Sequence, residues 1–569
     1  MTTASLATDR VIAYFSMEIA LDPRMPTYAG GLGVLAGDTI RAAADLRVPL
    51  VGVSLLYRQG YFSQQLDHTG LQHEEPTTWP VDRFTHELPA RVAVTIEGRR
   101  VALRAWRYTV TGVGGGAVQV YLLDSDLPDN ARPDRGLTAA LYGGDARCRL
   151  AQEIVLGMGG VLMLRALGYR HIRRFHMNEG HASLLTLALL DEQAERTGRW
   201  IIGDEEVARV RQQCVFTTHT PVPAGHDEFS MSLVTQVLGR PEIAAMPQVF
   251  CANGQLNLTT VGLNLSCYVN AVARRHGETS RSLLNSHTID AVTNGIHAAT
   301  WTCPAFQTLY DQFIPGWRQD NSALRHAMAI PLTDIRQAHG EAKQQLLDVV
   351  LRQTGVVMDP SVLTIGFARR VAAYKRATLL FQDLDRLTGI ARTAGPFQVI
   401  YAGKAHPNDP GAKQLIQHIF QAIDTLKPAI RVVYLANYEW TVAQLLTAGC
   451  DVWLNTPLRP LEASGTSGMK AAVNGVPSLS ILDGWWVEGH VEGVTGWSIG
   501  DSAPVRDDAQ QRLTDSASLY DKLQQVVLPL YYQNPTALTQ IMRQAIAFNG
   551  SHFNTHRMLH DYVLRAYFR

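Results

Sequence analysis

Four basic side chains follow one predicted strand within a short stretch of chain. Arg369, Arg370, Lys375 and Arg376 come directly after the apolar run at 362–367. In open α/β sheets, ligands bind beyond the carboxyl ends of the strands, so these cations are positioned to meet an anionic ligand. A solvated basic turn paired with surface carboxylates is the alternative, and the segment by itself does not separate the two.

A second segment places small residues between a carboxylate and a lysine. Glu462 precedes a run of Ala, Ser, Gly and Thr residues that leads to Lys470 at the start of a predicted helix. The lysine can pair with phosphate, or form a Schiff base with pyridoxal phosphate if its pKa falls below about 10.4. Ser467-x-x-Lys470 also matches penicillin-binding enzymes, but their SDN and KTG motifs are absent. A well-capped helix N-terminus is the structural alternative.

A glycine cluster opens the first predicted helix. Gly30, Gly31 and Gly33 lie between a strand and a helix predicted from Val34. Glycines there let backbone N–H groups and a helix N-terminus approach an anion, usually phosphate. The cluster fits neither GxGxxG nor the P-loop, and Gly403-Lys404 also lacks the P-loop pattern. The sequence therefore lacks the usual motif for ATP or GTP hydrolysis. A tight turn is the structural alternative for the glycine cluster.

Isolated histidines give a weaker signal. His219 ends a strand-like run and can face a cleft, although a structural histidine is the alternative. His176 and His181 flank Asn178-Glu179, but no HExxH motif or Cys/His pairing accompanies them. We therefore predict no metal site.

The composition is that of a large, electrically balanced globular protein. The 569 residues carry 51 Lys and Arg against 51 Asp and Glu, with 46% hydrophobic and 18% charged residues. A zero net charge argues against nucleic acid or an anionic membrane as partner, because both require an excess of basic residues. The longest uncharged stretch, 243–273, contains too many polar side chains to span lipid.

Cysteine usage and the N-terminus favour a cytoplasmic location. The six cysteines never approach CxxC spacing and are too sparse for a disulfide scaffold. The first residues lack the basic start, apolar run and cleavage site of a secretory signal.

Strand-length apolar runs alternate with helical patterns, which indicates a parallel α/β fold with two doubly wound units. Strands are predicted at 11–15, 48–56, 362–367, 398–402, 431–435 and 451–455, and helices at 34–46, 377–387 and 536–569. The turn-forming segment 292–304 contains Asn-Gly and Pro, so we place the domain junction there. The predicted units are an N-terminal domain at 1–295, a C-terminal domain at 296–540 and a helical segment at 541–569.

Together these segments resemble the α-glucan phosphorylases, the glycogen, starch and maltodextrin enzymes that use pyridoxal phosphate. The matching motifs run in order along nearly the whole chain: Gly30 to Gly33, Asn178 to His181, His219-Thr220, Val269 to Arg274, Thr293 to Ile296, Arg370 to Arg376, Asn437-Tyr438, Glu462 to Lys470, Asn474-Gly475 and Leu482 to Gly484. The motif Glu-Ala-Ser-Gly-Thr-x-x-Met-Lys is highly specific to that family.

The resemblance implies a glycosyltransferase B-type fold, with two Rossmann-like domains facing a deep cleft. It also implies these residue roles: pyridoxal phosphate covalently on Lys470; cofactor phosphate at Thr466 and Arg369; cofactor ring beside Tyr438; the phosphate pair at Arg370 and Lys375 with the backbone of Gly30 and Gly31; and the glucosyl unit at His219, Asn270, Tyr374, Glu462, Ser464 and Gly465.

The activity implied by the resemblance is reversible phosphorolysis. An α-1,4-glucan or maltooligosaccharide and orthophosphate give a shortened glucan and α-glucose 1-phosphate with retained configuration. The cofactor's 5′-phosphate assists proton delivery, and the carbonyl of His219 stabilises the developing positive charge. Glu462 is a hydroxyl-binding carboxylate in this scheme, not one of a hydrolase's paired acids. Family members are commonly homodimers.

The chain departs from the long animal and plant enzymes beside the phosphate sites. It has Ala372-Ala373 where they have His-Glu, Glu439 where they have Arg, and Ser467-Gly468 where they have Gly-Asn. It is also shorter, so we expect no phosphorylation switch or nucleotide effector site of the animal type.

Two other functions stay open at this point. A nucleotide-sugar glucosyltransferase of the glycogen synthase type shares the two-domain fold but does not need Met469-Lys470. A glucan-binding protein with a decayed site is the other, and only the departures above suggest it.

Overall fold

The computed structural model describes residues 11–198, 202–221, 226–283, 287–501 and 507–568. The first ten residues, where no leader is predicted, lie outside this range. The strands, in chain order, are β1 (Val11–Ser16), β2 (Leu50–Leu55), β3 (Ser63–Leu66), β4 (Gln72–Glu75), β5 (His86–Ile96), β6 (Arg99–Thr111), β7 (Ala117–Asp124), β8 (Ile172–Asn178), β9 (Cys214–Thr217), β10 (Glu228–Ser230), β11 (Cys251–Ala252), β12 (Gln255–Asn257), β13 (Tyr268–Ala271), β14 (Asp290–Ala291), β15 (Leu363–Ala368), β16 (Phe397–Ala402), β17 (Arg431–Leu435), β18 (Val452–Asn455), β19 (Ser478–Ile481) and β20 (Gly496–Ile499).

Helices connect and cover these strands. Those of the first half are α1 (Gly31–Asp45), α2 (Val81–Phe84), α3 (Arg132–Arg135), α4 (Ala146–Ile154), α5 (Gly160–Ala166), α6 (Leu185–Thr197), α7 (Asp204–Arg211), α8 (Met231–Val237), α9 (Pro241–Ala245), α10 (Pro247–Phe250), α11 (Leu258–Asn264) and α12 (Arg274–Leu283). Those of the second half are α13 (Ala298–Trp301), α14 (Pro304–Phe313), α15 (Leu332–Thr354), α16 (Leu384–Thr393), α17 (Pro410–Leu426), α18 (Trp440–Gly449), α19 (Ser467–Ala472), α20 (Trp486–Gly489), α21 (Asp508–Lys522), α22 (Leu528–Gln533), α23 (Pro535–Gln544) and α24 (Thr555–Tyr562).

The first half of the chain builds a nine-stranded sheet in the order β14-β13-β9-β8-β1-β2-β7-β6-β5. Its strands are parallel from β14 to β7, whereas β6 and β5 pair antiparallel at one edge. Every residue of β1 and β2 is buried, because side chains on both faces enter hydrophobic cores. The predicted doubly wound unit is therefore present, and the antiparallel edge extends it beyond what was predicted.

The second half builds a six-stranded, wholly parallel sheet in the order β17-β16-β15-β18-β19-β20. Strand β15 is central, so the strand order reverses there and a crevice opens at its carboxyl end. The structure confirms the mixed α/β fold with two parallel sheets. Among the described residues, no helix has the length and apolarity that crossing a bilayer requires.

A polar hairpin from the first half joins the two halves. Strands β3 and β4 pair antiparallel, and their glutamines reach backbone carbonyls of the second half. The Gln64 side chain donates to the Gly403 carbonyl at 2.8 Å, and the Gln72 side chain donates to the Ala405 carbonyl at 2.9 Å. Asn437 N–H donates back to Gln64 at 2.9 Å. Both glutamines are buried, so these bonds are shielded from water.

The C-terminal segment returns to the first sheet. Helix α24 packs on α1, and a π-helical turn, Val563–Tyr567, follows it. The Tyr567 hydroxyl lies 2.7 Å from His176 Nδ1, and Arg173 donates to the Tyr567 carbonyl. The chain end is helical as predicted, and it completes the covering of the first sheet.

One predicted helix differs from the structure. The segment 377–387 contains a 3₁₀ turn, Leu379–Phe381, and the α-helix begins only at Leu384. Asp383 accounts for the later start, because its side chain accepts from the Arg386 N–H and caps α16 there.

Candidate functional site

The candidate site lies where the strand ends of the two sheets approach one another. Tyr28 lies just before α1, and its hydroxyl oxygen accepts the Trp440 backbone N–H at 3.0 Å. The Arg41 guanidinium lies 4.6 Å from the centre of the Trp440 ring. These contacts bring α1 of the first half against α18 of the second, beside the loops that follow β15 and β18.

A buried carboxylate binds two of the predicted cations. Glu462 accepts from Lys375 Nζ at 2.8 Å through each oxygen and from Arg369 Nη2 at 2.6 Å. Arg369 also donates to Asn455 at the end of β18. All of these side chains are at least half-buried, so their charges interact strongly. The sequence-predicted residues Arg369, Lys375 and Glu462 therefore form one ionic cluster.

The cluster fixes the charge of Glu462. Burial alone would raise its pKa, but Arg369 and Lys375 hold the pKa at about 2. Its neighbour Asp483 behaves oppositely, because burial raises that pKa to about 7. Asp483 accepts the Glu462 N–H at 2.9 Å and so orients the loop.

Arg376 lies apart from this cluster. It donates to the carbonyls of Thr456 and Pro457 and pairs with Asp515 at 2.6 Å. Its backbone has a positive φ of 48°, which turns the chain away after Lys375. Arg376 is thus held by one carboxylate and two carbonyls in this structure, and its contact with an anionic ligand stays a prediction.

Arg370 and Tyr374 border the ionic cluster on its open side. The Arg370 side chain is exposed and interacts with the Tyr374 hydroxyl. Burial would raise the pKa of Tyr374, but Lys375 and the two arginines lower it overall. Lys375 Nζ lies 4.5 Å from the centre of the Tyr374 ring. An exposed cation thus remains beside a cluster whose other cations are already paired.

Lys470 is buried in the first turns of α19 and lies against an indole ring. Its Nζ is 3.7 Å from the centre of the Trp301 ring, and the residue is 6% exposed. Burial lowers its pKa to about 8, while the charge of Asp38 acts in the opposite direction. At pH 7 about a tenth of such an amine is unprotonated, which is the form that a Schiff-base lysine requires.

The loop between Glu462 and Lys470 is tightly held. Gly465 has a φ of 83°, a conformation that favours glycine, and Thr466 caps α19, its carbonyl accepting the Lys470 N–H. The Ser464 carbonyl accepts the Trp485 N–H at 2.9 Å. The Ser464 hydroxyl is buried and has no hydrogen-bond partner among the described residues, so it is available to a ligand.

Gly31 begins α1, three residues before the predicted start at Val34, and Gly30 precedes it as the N-cap. Glu18 accepts the N–H groups of Ala29 and Gly30 at 2.6 Å and 3.0 Å, and it accepts the Tyr142 hydroxyl at 2.8 Å. Gly31 is exposed and opens the first turn of the helix. The Gly30 N–H, which was predicted to bind an anion, therefore donates to the Glu18 carboxylate in this structure.

His219 is held by the residues of the Asn178-Glu179 motif. Its Nε2 hydrogen-bonds to the Asn178 side-chain oxygen, and its backbone N–H donates to Glu179 at 2.7 Å. Asn178 in turn donates to Ser16, which leaves its oxygen as the acceptor for His219. Burial lowers the pKa of His219 to about 3, so the ring is neutral. Sequence reasoning treated Asn178 and Glu179 only as part of a motif.

Glu179 has a positive backbone φ and a side-chain pKa above its ordinary value. Its φ is 76°, and its carboxylate accepts from the N–H groups of His219 and Gly180. Burial raises its pKa to about 8. A non-glycine residue in this conformation stores strain, which is common at functional sites.

Asn270 lies on β13 and belongs to a polar network of the first sheet. It is fully buried, accepts from Thr217 at 2.9 Å and donates to the Tyr562 hydroxyl at 3.0 Å. Tyr438, by contrast, lies half-buried between two hydrophobic cores beside Trp440. No local sequence signal links Asn270 to Tyr562, because the two lie far apart in the chain.

Two groups of potential metal ligands occur among the described residues. Asp45 meets His297 and His556, and Glu153 meets His181 and Asp227. In the first group both imidazoles hydrogen-bond to Asp45. In the second, Arg149 lies 3.3 Å from Asp227 and supplies the positive charge. Sequence spacing had not indicated either group.

Comparisons with known proteins agree on one family. A family model described as carbohydrate phosphorylase matches residues 242–496. The maltodextrin phosphorylase of Thermococcus litoralis is 36% identical over 98% of this chain and 70% of its own length. The glycogen phosphorylases of Mycobacterium tuberculosis and Aquifex aeolicus are 37% and 33% identical over 99% and 98% of this chain, and over 71% and 86% of their own lengths. Since these likenesses span nearly the whole chain, this protein is an enzyme of the carbohydrate phosphorylase family, which is generally dependent on pyridoxal phosphate.

Proposed function

We propose that the cleft carries out reversible phosphorolysis of an α-1,4-glucan to α-D-glucose 1-phosphate, with retention of configuration. The observation that carries this proposal is the buried cluster of Arg369 and Lys375 on Glu462, close to the loop that leads to Lys470. Such a cluster concentrates positive charge in a protein whose overall charge is zero. It suits two small phosphates and a neutral sugar polymer.

Pyridoxal phosphate fits the residues around Lys470. A buried amine with a pKa of about 8 supports covalent attachment, and the unpartnered Ser464 hydroxyl supports a ligand nearby. We assign Lys470 to the covalent link, Thr466 and Arg369 to the cofactor phosphate and Tyr438 to the side of its ring. When bound, the cofactor supplies a phosphate group that supports proton transfer by the substrate phosphate.

Orthophosphate would bind at Arg370 and Lys375, assisted by the backbone of Gly30 and Gly31. Each contact between unit charges about 4 Å apart contributes about 4 kcal/mol at an effective dielectric of about 20. Lys375 is bonded to Glu462 in this structure, so an incoming phosphate competes with that carboxylate. If phosphate replaces Glu462 as the partner of Lys375, the oxygens of Glu462 that Lys375 had occupied can accept sugar hydroxyls.

The sugar side of the proposed site uses neutral groups. His219, Asn270, Tyr374, Ser464 and Gly465 would contact the glucosyl unit along with Glu462. The neutral ring of His219 donates or accepts without adding charge. The His219 carbonyl, fixed through Glu179, would face the positive charge that develops at the anomeric carbon.

Glu462 does not suit the role of a general acid. A carboxyl group with a pKa of about 2 carries no proton at neutral pH, whereas a glycosidase acid has a raised pKa. The proton for the leaving oxygen would therefore come from orthophosphate, and no protein nucleophile is required.

The remaining organisation is also proposed. We retain the domain limits 1–295, 296–540 and 541–569, a homodimeric assembly and a cytoplasmic location. Light scattering of the purified protein would measure the assembly, with a mass of twice 62.7 kDa expected for the dimer.

The test is phosphorolysis of a maltooligosaccharide ladder with pyridoxal phosphate present. We expect glucose 1-phosphate and visible cofactor absorbance from the full chain, and neither from Lys470→Ala. Lys427→Ala is the matched control and should behave as the parent, because Lys427 is an exposed lysine at the C-terminal end of α17. Transfer from ADP-glucose or UDP-glucose without cofactor would instead support the nucleotide-sugar enzyme. Oligosaccharide binding with no turnover would support the binding protein.

A further inference from the structure

A buried carboxylate on α1 is connected to Lys470 through one indole ring, that of Trp301. Asp38 is 1% exposed and occupies the third turn of the helix that begins at Gly31. Its Oδ2 accepts Trp301 Nε1 at 2.7 Å and the His297 N–H at 3.2 Å. Asp38 therefore ties α1 to the segment that carries the indole under Lys470.

The Trp301 ring is held firmly in place. Its N–H is fixed by Asp38, and its face stacks on Trp440 with a centroid separation of 5.7 Å and an angle of 18°. The same ring also interacts with Lys470, whose Nζ lies 3.7 Å from the ring centre. A cation over an indole face is attracted to the ring, so this geometry favours the ammonium form.

The charge of Asp38 is only partly balanced. Arg41 Nη1 lies 3.5 Å from its Oδ1, and neither atom has a hydrogen-bond partner within the part of the chain that the structure describes. Arg41 directs its other terminal nitrogen to the carbonyls of Ala20 and Leu21. Asp38 thus keeps negative charge available to a neighbouring cation.

We propose that Asp38 is a positioning residue for the cofactor lysine: it fixes Trp301 beneath the Lys470 amine and stabilises positive charge on that nitrogen. The inference rests on the proposed function only in identifying Lys470 as the cofactor lysine. Asp38 opposes the effect of burial, which by itself favours the neutral amine. The balance leaves enough neutral amine to condense with an aldehyde while retaining charge once the link has formed.

The test measures the protonation of Lys470 in the full-length chain freed of cofactor. Formaldehyde and cyanoborohydride methylate unprotonated amines, and peptide mass spectrometry reports the modification at Lys470 as a function of pH. We expect a midpoint near 8 in the parent. Asp38→Asn keeps an acceptor oxygen for Trp301 but removes the charge, so its midpoint should fall by about one pH unit, a tenfold change in the equilibrium.

Two further variants complete the experiment: one should shift the Lys470 midpoint in the opposite direction, and the other should leave it unchanged. Arg41→Gln removes the counter-charge of Asp38, and its midpoint should rise. Asp311→Asn is the matched control, because Asp311 also accepts a tryptophan N–H, that of Trp317 at 2.8 Å, at a half-exposed surface position. Its Lys470 midpoint should equal that of the parent.

The outcomes separate this inference from the proposed function. A folded Asp38→Asn protein with the parent midpoint overturns the inference, and so does an Arg41→Gln midpoint that falls. If the midpoints move as expected but the parent makes no glucose 1-phosphate, the proposed activity fails and the role of Asp38 stands. Thermal unfolding of each variant verifies the fold before labelling.

Discussion

Two buried glutamates on opposite sides of the cleft have opposite charge behaviour. Glu462, in the loop after β18, contacts two cations, and its pKa is held at about 2. Glu179, directly after β8, accepts from two backbone N–H groups among the described residues, and burial raises its pKa to about 8. The same side chain is thus fully ionised on one side and mostly protonated on the other at neutral pH.

This difference divides the cleft into an ionic side and a neutral side. The second half contributes Arg369, Arg370 and Lys375, whereas the first contributes a neutral His219 and amide groups. Both sides are strand ends of parallel sheets, so the architecture does not decide the chemistry. The charged partners within hydrogen-bonding distance decide it.

Removing the charge of Glu462 should have the largest effect. In Glu462→Gln, Arg369 and Lys375 lose their shared partner while remaining buried, which costs about 3–5 kcal/mol of stability. We expect kcat/KM for phosphorolysis to fall about 1,000-fold, because about 4 kcal/mol of transition-state stabilisation is lost with the hydroxyl acceptor. Added phosphate should raise Tm more in this variant than in the parent.

Glu278→Gln is the control for that experiment, since Glu278 forms an exposed ion pair with Arg275. Its activity and its phosphate response should match the parent. A kcat/KM of Glu462→Gln within tenfold of the parent value would contradict the role given to the Glu462 charge on the ionic side of the cleft.

Placing a charge on the neutral side should have an intermediate effect. Asn178→Asp would put a carboxylate against His219 Nε2 and raise the pKa of that imidazole from about 3. We expect kcat/KM to fall about 10- to 100-fold at pH 6 and to recover as the pH rises and the ring loses its proton. Asn178→Ala supplies the comparison, because its loss should not depend on pH; parallel pH profiles for the two variants would refute a neutral His219.

Replacing Glu179 with glutamine should have the smallest effect per pH unit, and this effect should appear only in the pH dependence of the free energy of unfolding. A carboxyl group with a raised pKa binds more protons when folded, so stability decreases as the pH rises from the unfolded value of about 4.3 to about 8. Between pH 5.5 and 7.5, the parent should lose up to about 1.4 kcal/mol per pH unit that Glu179→Gln does not. Urea unfolding at three pH values measures this, and identical slopes would show that Glu179 is ionised.

Sequence patterns predicted the parallel core well for a physical reason. Strands such as 398–402 and 431–435 are buried apolar runs, and burial on both faces leaves a continuous hydrophobic signal. The antiparallel edge at β5 and β6 is only partly buried, so its polar residues gave no such run. The 377–387 helix prediction failed because apolar spacing carries no information about the cap at Asp383.

The ionic cluster was predictable in part because most of its cations are close together in sequence. The carboxylates that adjust the site were not: Asp38 lies 263 residues from Trp301, and Glu18, although only 12 residues from Gly30, belongs to no motif. A lone acidic residue in a helix or after a strand has no pattern of its own. Only the fold reveals that Asp38 meets Trp301 and that Glu18 meets Gly30.

The return of the C-terminal segment to the first sheet has a consequence for biosynthesis. Tyr562 and Tyr567 complete the polar network of Thr217, Asn270 and His176 from the other end of the chain. A ribosome delivers those tyrosines only after the whole second sheet has emerged. The first-half sheet must therefore wait, with part of its interior uncovered, until residues 562–567 have been translated, and nascent chains released before that point would expose that surface to chaperones and proteases.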